Sequence, residues 1–146
     1  MTELADFARV AAADHGLCVV SASRGDGTIH SSVVNAGVLR HPARDHDVAA
    51  LVLYGRAKKL THLRARPHLT VVARAGWNWV AVEGDVELIG PDDAYPGIDA
   101  EANRLLLRAI FTAAGGTHDD WPTYDRVMAK DRRVAVLITP TRIYSN

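Results

Sequence analysis

The chain has 146 residues, 48% hydrophobic and 23% charged, which is ordinary usage for one globular core and excludes a disordered, collagenous or coiled-coil protein and a separate regulatory domain. Lys plus Arg and Asp plus Glu both number 17, so the formal charge is zero and no whole-molecule field draws the protein to nucleic acid. A single cysteine, Cys18, excludes a disulfide framework and a multi-cysteine metal site and fits a reducing compartment.

Glu3 and Asp6 stand where a secretory signal would be basic, and no apolar run approaches the ~20 residues of a membrane span, so a cytoplasmic protein is expected. Residues 2–14 place Leu4, Phe7, Ala8 and Ala11 at helical spacing, with Thr2 as the predicted N-cap and Gly16 as the stop. Residues 17–23 and 28–39 read as strands joined by the turn Arg24-Gly25-Asp26-Gly27. Gly37 inside the second strand predicts a bulge or a close backbone approach. After a polar loop at 41–47, residues 48–54 form a third, strongly apolar strand. A short helix follows Gly55, with Leu60 and Leu63 on one face and Pro67 ending it. Residues 68–74, 77–89 and 133–144 supply three more strands, and two helices at 99–114 and 119–130, divided by Gly115-Gly116, are inserted before the last. Six strands, mostly hairpin-linked, predict a mainly β, small antiparallel barrel with helices at its ends and corners.

Charge is segregated along this framework. Residues 48–82 contain no acid and six cations, namely Arg56, Lys58, Lys59, Arg64, Arg66 and Arg74, whereas residues 83–101 contain seven acids and no cation. Arg56, Lys58 and Lys59 fall just before and within the first turn of the short helix, where unpaired N–H groups already carry positive charge. A phosphate would satisfy those N–H groups and the side chains together. Two blander arrangements compete: the side chains splay into water, at only ~0.3–1 kcal/mol each, or the acidic stretch pairs with them in self-association. Arg64 and Arg66 either extend the patch or point elsewhere, and spacing does not decide.

Trp77 and Trp79 flank Asn78 and share a face if the segment is a strand. A flat cofactor ring can stack there, although packing at a barrel end or subunit contact is the commoner use of paired tryptophans. His41, His46, His62 and His68 lack zinc-site spacing, so no metal is expected. Cys18 in an apolar strand reads as an inert core thiol. The chain has no Gly-x-Ser-x-Gly, no Rossmann glycine fingerprint and no Walker loop. A site for an anionic cofactor without a conventional acid, base or nucleophile suits an enzyme whose cofactor carries the reaction, with hydride transfer the best fit.

Three stretches carry a family resemblance: Asp26-Gly27-Thr28-Ile29-His30-Ser31-Ser32-Val33-Val34; Gly55-Arg56-Ala57-Lys58-Lys59-Leu60 with Leu63-Arg64-Ala65-Arg66-Pro67; and Trp79-Val80-Ala81-Val82-Glu83-Gly84-Asp85-Val86. With the closing Pro140-Thr141-Arg142-Ile143-Tyr144, their order and spacing resemble the split β-barrel flavin and deazaflavin oxidoreductases, similar to pyridoxamine 5'-phosphate oxidase, and especially the coenzyme F-420-dependent branch. The resemblance implies a six-stranded antiparallel split barrel of the FMN-binding type and a homodimer with two cofactors in grooves between the subunits. It implies that Lys59, in a Lys-x-x-x-Leu-Arg pattern ending at Arg64, meets cofactor phosphate with help from Arg56 and Lys58. Ser32, Val33, Val34, Tyr54 and Gly55 match positions that approach the ring system or its ribityl arm, and the local cations fit a carboxylate-rich oligoglutamate tail. Thr61 and His62 depart from the polar pairs common in the family, and the insertion is longer than in its smallest members. The implied activity is an F-420-dependent reductase acting on an organic acceptor. An FMN-dependent oxidase or reductase, a non-catalytic cofactor-binding or storage protein, and a dimeric interaction module without cofactor are the alternatives.

Overall fold

A computed structural model describes all 146 residues. Helix α1 (Leu4–Ala13) begins after Glu3, whose side chain and that of Asp6 form a reciprocal capping box. Thr2 is therefore not the cap; its Oγ1 lies 2.8 Å from Ser145 Oγ and ties the N-terminus to the last strand. His15 and Gly16 end the turn at φ 59° and 74°, the left-handed geometry expected of the glycine stop.

Strands β1 (Leu17–Ser23) and β2 (Ile29–Arg40) form the predicted hairpin, and β3 (Asp47–Leu53) follows it. Helix α2 (Lys58–Ala65) leads into β4 (His68–Ala75) and β5 (Asn78–Ile89). The insertion is α3 (Ala100–Ala113) and α4 (Trp121–Lys130), and β6 (Val134–Ser145) closes the chain. Trp77 corrects the expected strand face: it sits in the turn beside Gly76, itself at φ 63°, and is 93% exposed. It therefore does not stack beside Trp79, whose ring meets Tyr144 edge-to-face at 6.1 Å.

The strands close in the order β1-β2-β3-β6-β5-β4, every pair antiparallel. Alternate residues of each strand fill the interior, among them Val20, Leu51, Val71, Val82, Val136 and Ile138. Phe7 and Val10 of α1 and Leu60 and Leu63 of α2 pack into the same core. A second cluster lies outside the barrel, where Leu106, Leu107 and Ile110 of α3 cover Val48 and Ala50 of β3 and Ala135 and Leu137 of β6. Gly37 permits this approach, because a Cβ there would stand 2.3 Å from the Ala113 carbonyl carbon. No helix is long and apolar enough to cross a membrane.

Two features of the barrel position the site. First, β3 pairs with β2 only over residues 36–40, so residues 29–35 of β2 pair with β1 alone and leave one edge open. Second, no helix covers the outer face around Val19 and Val33, which pair across β1 and β2; both are exposed, Val33 by 62%.

Candidate functional site

Helix α2 is built unlike the other three. Glu3, Asp99 and Asp120 cap α1, α3 and α4 through their side chains. Before α2 stands Ala57, which offers no side-chain bond, and the first turn holds no acid. Its leading N–H groups thus lack the local anion that most helices supply. Lys58 and Lys59 are its first two residues, and Arg56 precedes it by two.

Lys59 does not splay into water. It is 3% exposed, and its Nζ donates to Ser32 Oγ on the inward face of β2. Burial alone depresses its pKa, with no carboxylate opposing the shift. A buried ammonium held by one hydroxyl is under-compensated. Arg56 and Lys58 are exposed and form no ion pair. The remaining cations of the segment are engaged elsewhere. Arg64 donates twice to Asp93, at 2.7 and 3.0 Å, Arg66 to the Ser23 carbonyl at 3.1 Å and Arg74 to the Gly76 carbonyl at 2.8 Å. Of the two arrangements open to Arg64, the chain adopts the second: its pair with Asp93 ties α2 to the loop before α3.

Val33 and Val34 continue from Ser32 along the open edge of β2, Val34 half-buried against the core and Val33 outward. Tyr54 and Gly55 follow β3 and lead to α2. The Tyr54 ring lies 5.3 Å beneath the Arg133 guanidinium, and a Cβ on Gly55 would come within 2.5 Å of the Arg132 carbonyl oxygen. Beside this pair, a cleft of about 330 Å³ is lined by Asn35, Val52, Phe111, Gly116, Tyr124 and Arg133. Tyr124 donates its hydroxyl to the Leu107 carbonyl at 3.1 Å, which fixes α4 on α3. Trp79 pairs with Arg74, remote along β4 from His68, where α2 enters that strand. The two tryptophans are thus not brought to Lys59 within one chain.

Sequence reasoning missed His30, Asn35 and Arg133. His30 lies two residues before Ser32, so strand alternation alone places both on one face. Its Nδ1 is buried without a partner, and its ring meets His62 of α2 edge-to-face at 5.6 Å. Burial, then the neighbouring cations Lys59, Arg24, His62 and Lys58, push its pKa down. Arg133 had no signal, since its partner Tyr54 is remote in sequence. His41 is structural: its Nδ1 accepts from the Ala43 N–H at 3.0 Å and its Nε2 lies 2.9 Å from Glu87.

No protein-family model matches the chain. Among solved structures, a conserved hypothetical protein from Mycobacterium tuberculosis superposes with a TM-score of 0.69 at 17% identity, covering 99% of this chain and 84% of that one. An F420 reductase superposes at 0.59 and 17% identity over 88% of each chain. A pyridoxamine 5'-phosphate oxidase-related, FMN-binding protein from Nostoc punctiforme gives 0.62 at 12% identity, covering 94% of this chain and 80% of that one. The chain has the split β-barrel fold of these proteins. In this split barrel the open edge of β2, the end of β3 and the start of α2 converge on Lys59.

Proposed function

We propose that this split barrel is a homodimeric oxidoreductase that binds coenzyme F-420 and passes hydride from the reduced deazaflavin to an organic acceptor. One observation carries the reading: a lysine ammonium, almost wholly buried, sits at an uncapped helix start with no acid to balance it. A buried charge without a partner costs free energy, and a ligand of opposite charge would recover that cost. An F420 reductase and an FMN-binding protein on the same fold support a phosphorylated redox carrier as that ligand.

In this reading Lys59, Ser32 and the first N–H groups of α2 hold the phosphate, with Arg56 and Lys58 closing over it from the exposed side. Ser32, Val33 and Val34 present one open strand edge along which the arm of the cofactor lies. Tyr54 and Gly55 border the ring, and the adjoining cleft between Asn35 and Arg133 receives the acceptor. The bound cofactor supplies the hydride; the protein supplies position and exclusion of water. Val19 and Val33 form the uncovered apolar face on which a second copy docks, and exposed Trp77 suits the same subunit contact. FMN carries a phosphate and a tricyclic ring as well, and the FMN-binding neighbour keeps it as the second reading.

Parallel fluorescence titrations with F-420 and FMN test the assignment. Saturable F-420 binding, weakened at least tenfold by Lys59→Ala, is the expected result, a loss of about 1.4 kcal/mol. Tighter FMN binding moves the protein to the flavin reading. Absence of binding by both cofactors, or an affinity indifferent to Lys59→Ala, defeats the proposal.

A further inference from the structure

We infer that His30 and His62 are binding residues of the same anion site and that His30 takes up a proton as an anion docks against Lys59, so that affinity rises as pH falls. This rests on the reading of the α2 start as an anion site and extends it to two residues that the cofactor assignment does not use.

The geometry is specific. His30 Nδ1 is buried with no hydrogen-bond partner, an arrangement that costs free energy in the empty protein. Ser32, which accepts from Lys59 Nζ, lies two residues further along β2, so His30 and the buried ammonium share the inward side of one strand. His62 stands on α2 one turn after Lys58 and meets the His30 ring edge-to-face at 5.6 Å. The two imidazoles thus bridge the same two elements as the Lys59–Ser32 bond.

The charges facing His30 are all of one sign: Lys58, Lys59 and His62 from α2, and Arg24 from the turn after β1. The nearby carboxylate in that turn, Asp26, is occupied by the Thr28 N–H at 3.0 Å and hydroxyl at 2.6 Å. Arg66, which follows α2, donates to the Ser23 carbonyl. A cluster of cations without an acid resists a further proton, and burial and these cations hold the His30 pKa below its ordinary value. An anion reverses both effects. It offers the acceptor that a protonated Nδ1 needs, and it cancels the field that disfavoured protonation. One proton enters from solvent for each anion bound, so log K steepens toward a slope of about one per pH unit within the window between the empty and occupied pKa values.

Sulfate is the probe that isolates this effect, because its charge is constant across the range, whereas a phosphate monoester titrates near pH 6. Sulfate affinity is measured by calorimetry from pH 5.5 to 8.5 for the wild-type chain, the His30→Asn and His62→Asn variants, and the double variant. We expect a wild-type affinity that tightens about tenfold as pH falls over the range, a flat profile in His30→Asn and in the double variant, and weaker binding that keeps its slope in His62→Asn. Alongside, the histidine NMR resonances of the wild-type chain are followed against pH with and without sulfate. Sulfate is expected to raise the midpoint of His30, and this readout holds if the double variant does not fold. A flat wild-type profile, a slope that survives in the folded double variant, or a His30 midpoint unmoved by sulfate overturns the inference. Failure of F-420 and FMN to bind, with the sulfate linkage intact, removes the cofactor assignment and leaves the histidines in place.

Discussion

Lys59 shows how a buried charge is held at a cost to the fold. Its pKa is depressed below the free value of 10.5 by burial. In its charged form it opposes folding, and the opposition fades as pH rises from the depressed value toward 10.5, where the unfolded chain still binds the proton. Lys59→Met keeps the length of the side chain and removes the charge. It is expected to raise stability by about 1 kcal/mol, or ~3 °C in Tm, while abolishing cofactor and sulfate binding. Thermal melts and titrations on the same preparation check the two halves; a lower Tm shows that the bond to Ser32 outweighs desolvation. Cys18 makes the opposite use of burial. Its thiol is pushed up to about 12, so it is the inert core residue its apolar strand predicted. Arg64 belonged to the same cationic run as Lys59 and differs in fate because Asp93, 29 residues away in sequence, turns to meet it. A run of like charges shows how many cations there are and not which of them remain unpaired.

Strand and helix boundaries follow the periodicity to within a few residues, because apolar alternation and glycine or proline punctuation are local signals. The Trp77 displacement is local as well: Gly76 takes the left-handed turn position, so the strand starts one residue later than its aromatic composition predicts. Gly37 is the case in which a glycine in a strand marks an approach by another backbone. Gly37→Ala drives a methyl group into the Ala113–Ala114 peptide. We expect a loss of about 2–3 kcal/mol in urea melts, because the backbone of α3 must retreat from β2. A change under about 0.5 kcal/mol would show α3 to be loosely seated. Helix α3 in turn carries α4: Arg108 and Arg104 hold the Asp125 carboxyl down to about 2 and bind the two helices together.

Across the whole molecule, the acids of residues 83–101 do answer cations, though not those at the start of α2. Asp92 pairs with Arg132, Asp93 with Arg64 and Glu87 with Arg44, while Asp99 caps α3. Within one chain, neutralisation of Arg56, Lys58 and Lys59 by that stretch does not occur. The outer face of β1 and β2 stays uncovered, and its paired valines Val19 and Val33 are where the proposed dimer seats its second copy. Val33→Asp places a charge at the centre of that face. Sedimentation velocity is expected to show a dimer for the native chain and a monomer for the variant, with F-420 affinity falling in parallel if the cofactor groove spans two subunits. A native chain that sediments as a monomer removes the dimer from the proposal.

Local pattern was enough for six antiparallel strands, the helix after Gly55, the two-helix insertion and the gathering of cations at one helix start, since each depends on neighbours within a few positions. Tertiary structure alone decided which cation is buried, that Ser32 receives it, that His30 meets His62 and that Arg133 lies over Tyr54. Those contacts join residues 27 to 79 positions apart, brought together by barrel closure and by the pairing of β2 with β3 that stops at Ala36. A one-dimensional pattern counts charges and faces; desolvation and pairing are set by which faces the closed sheet brings together.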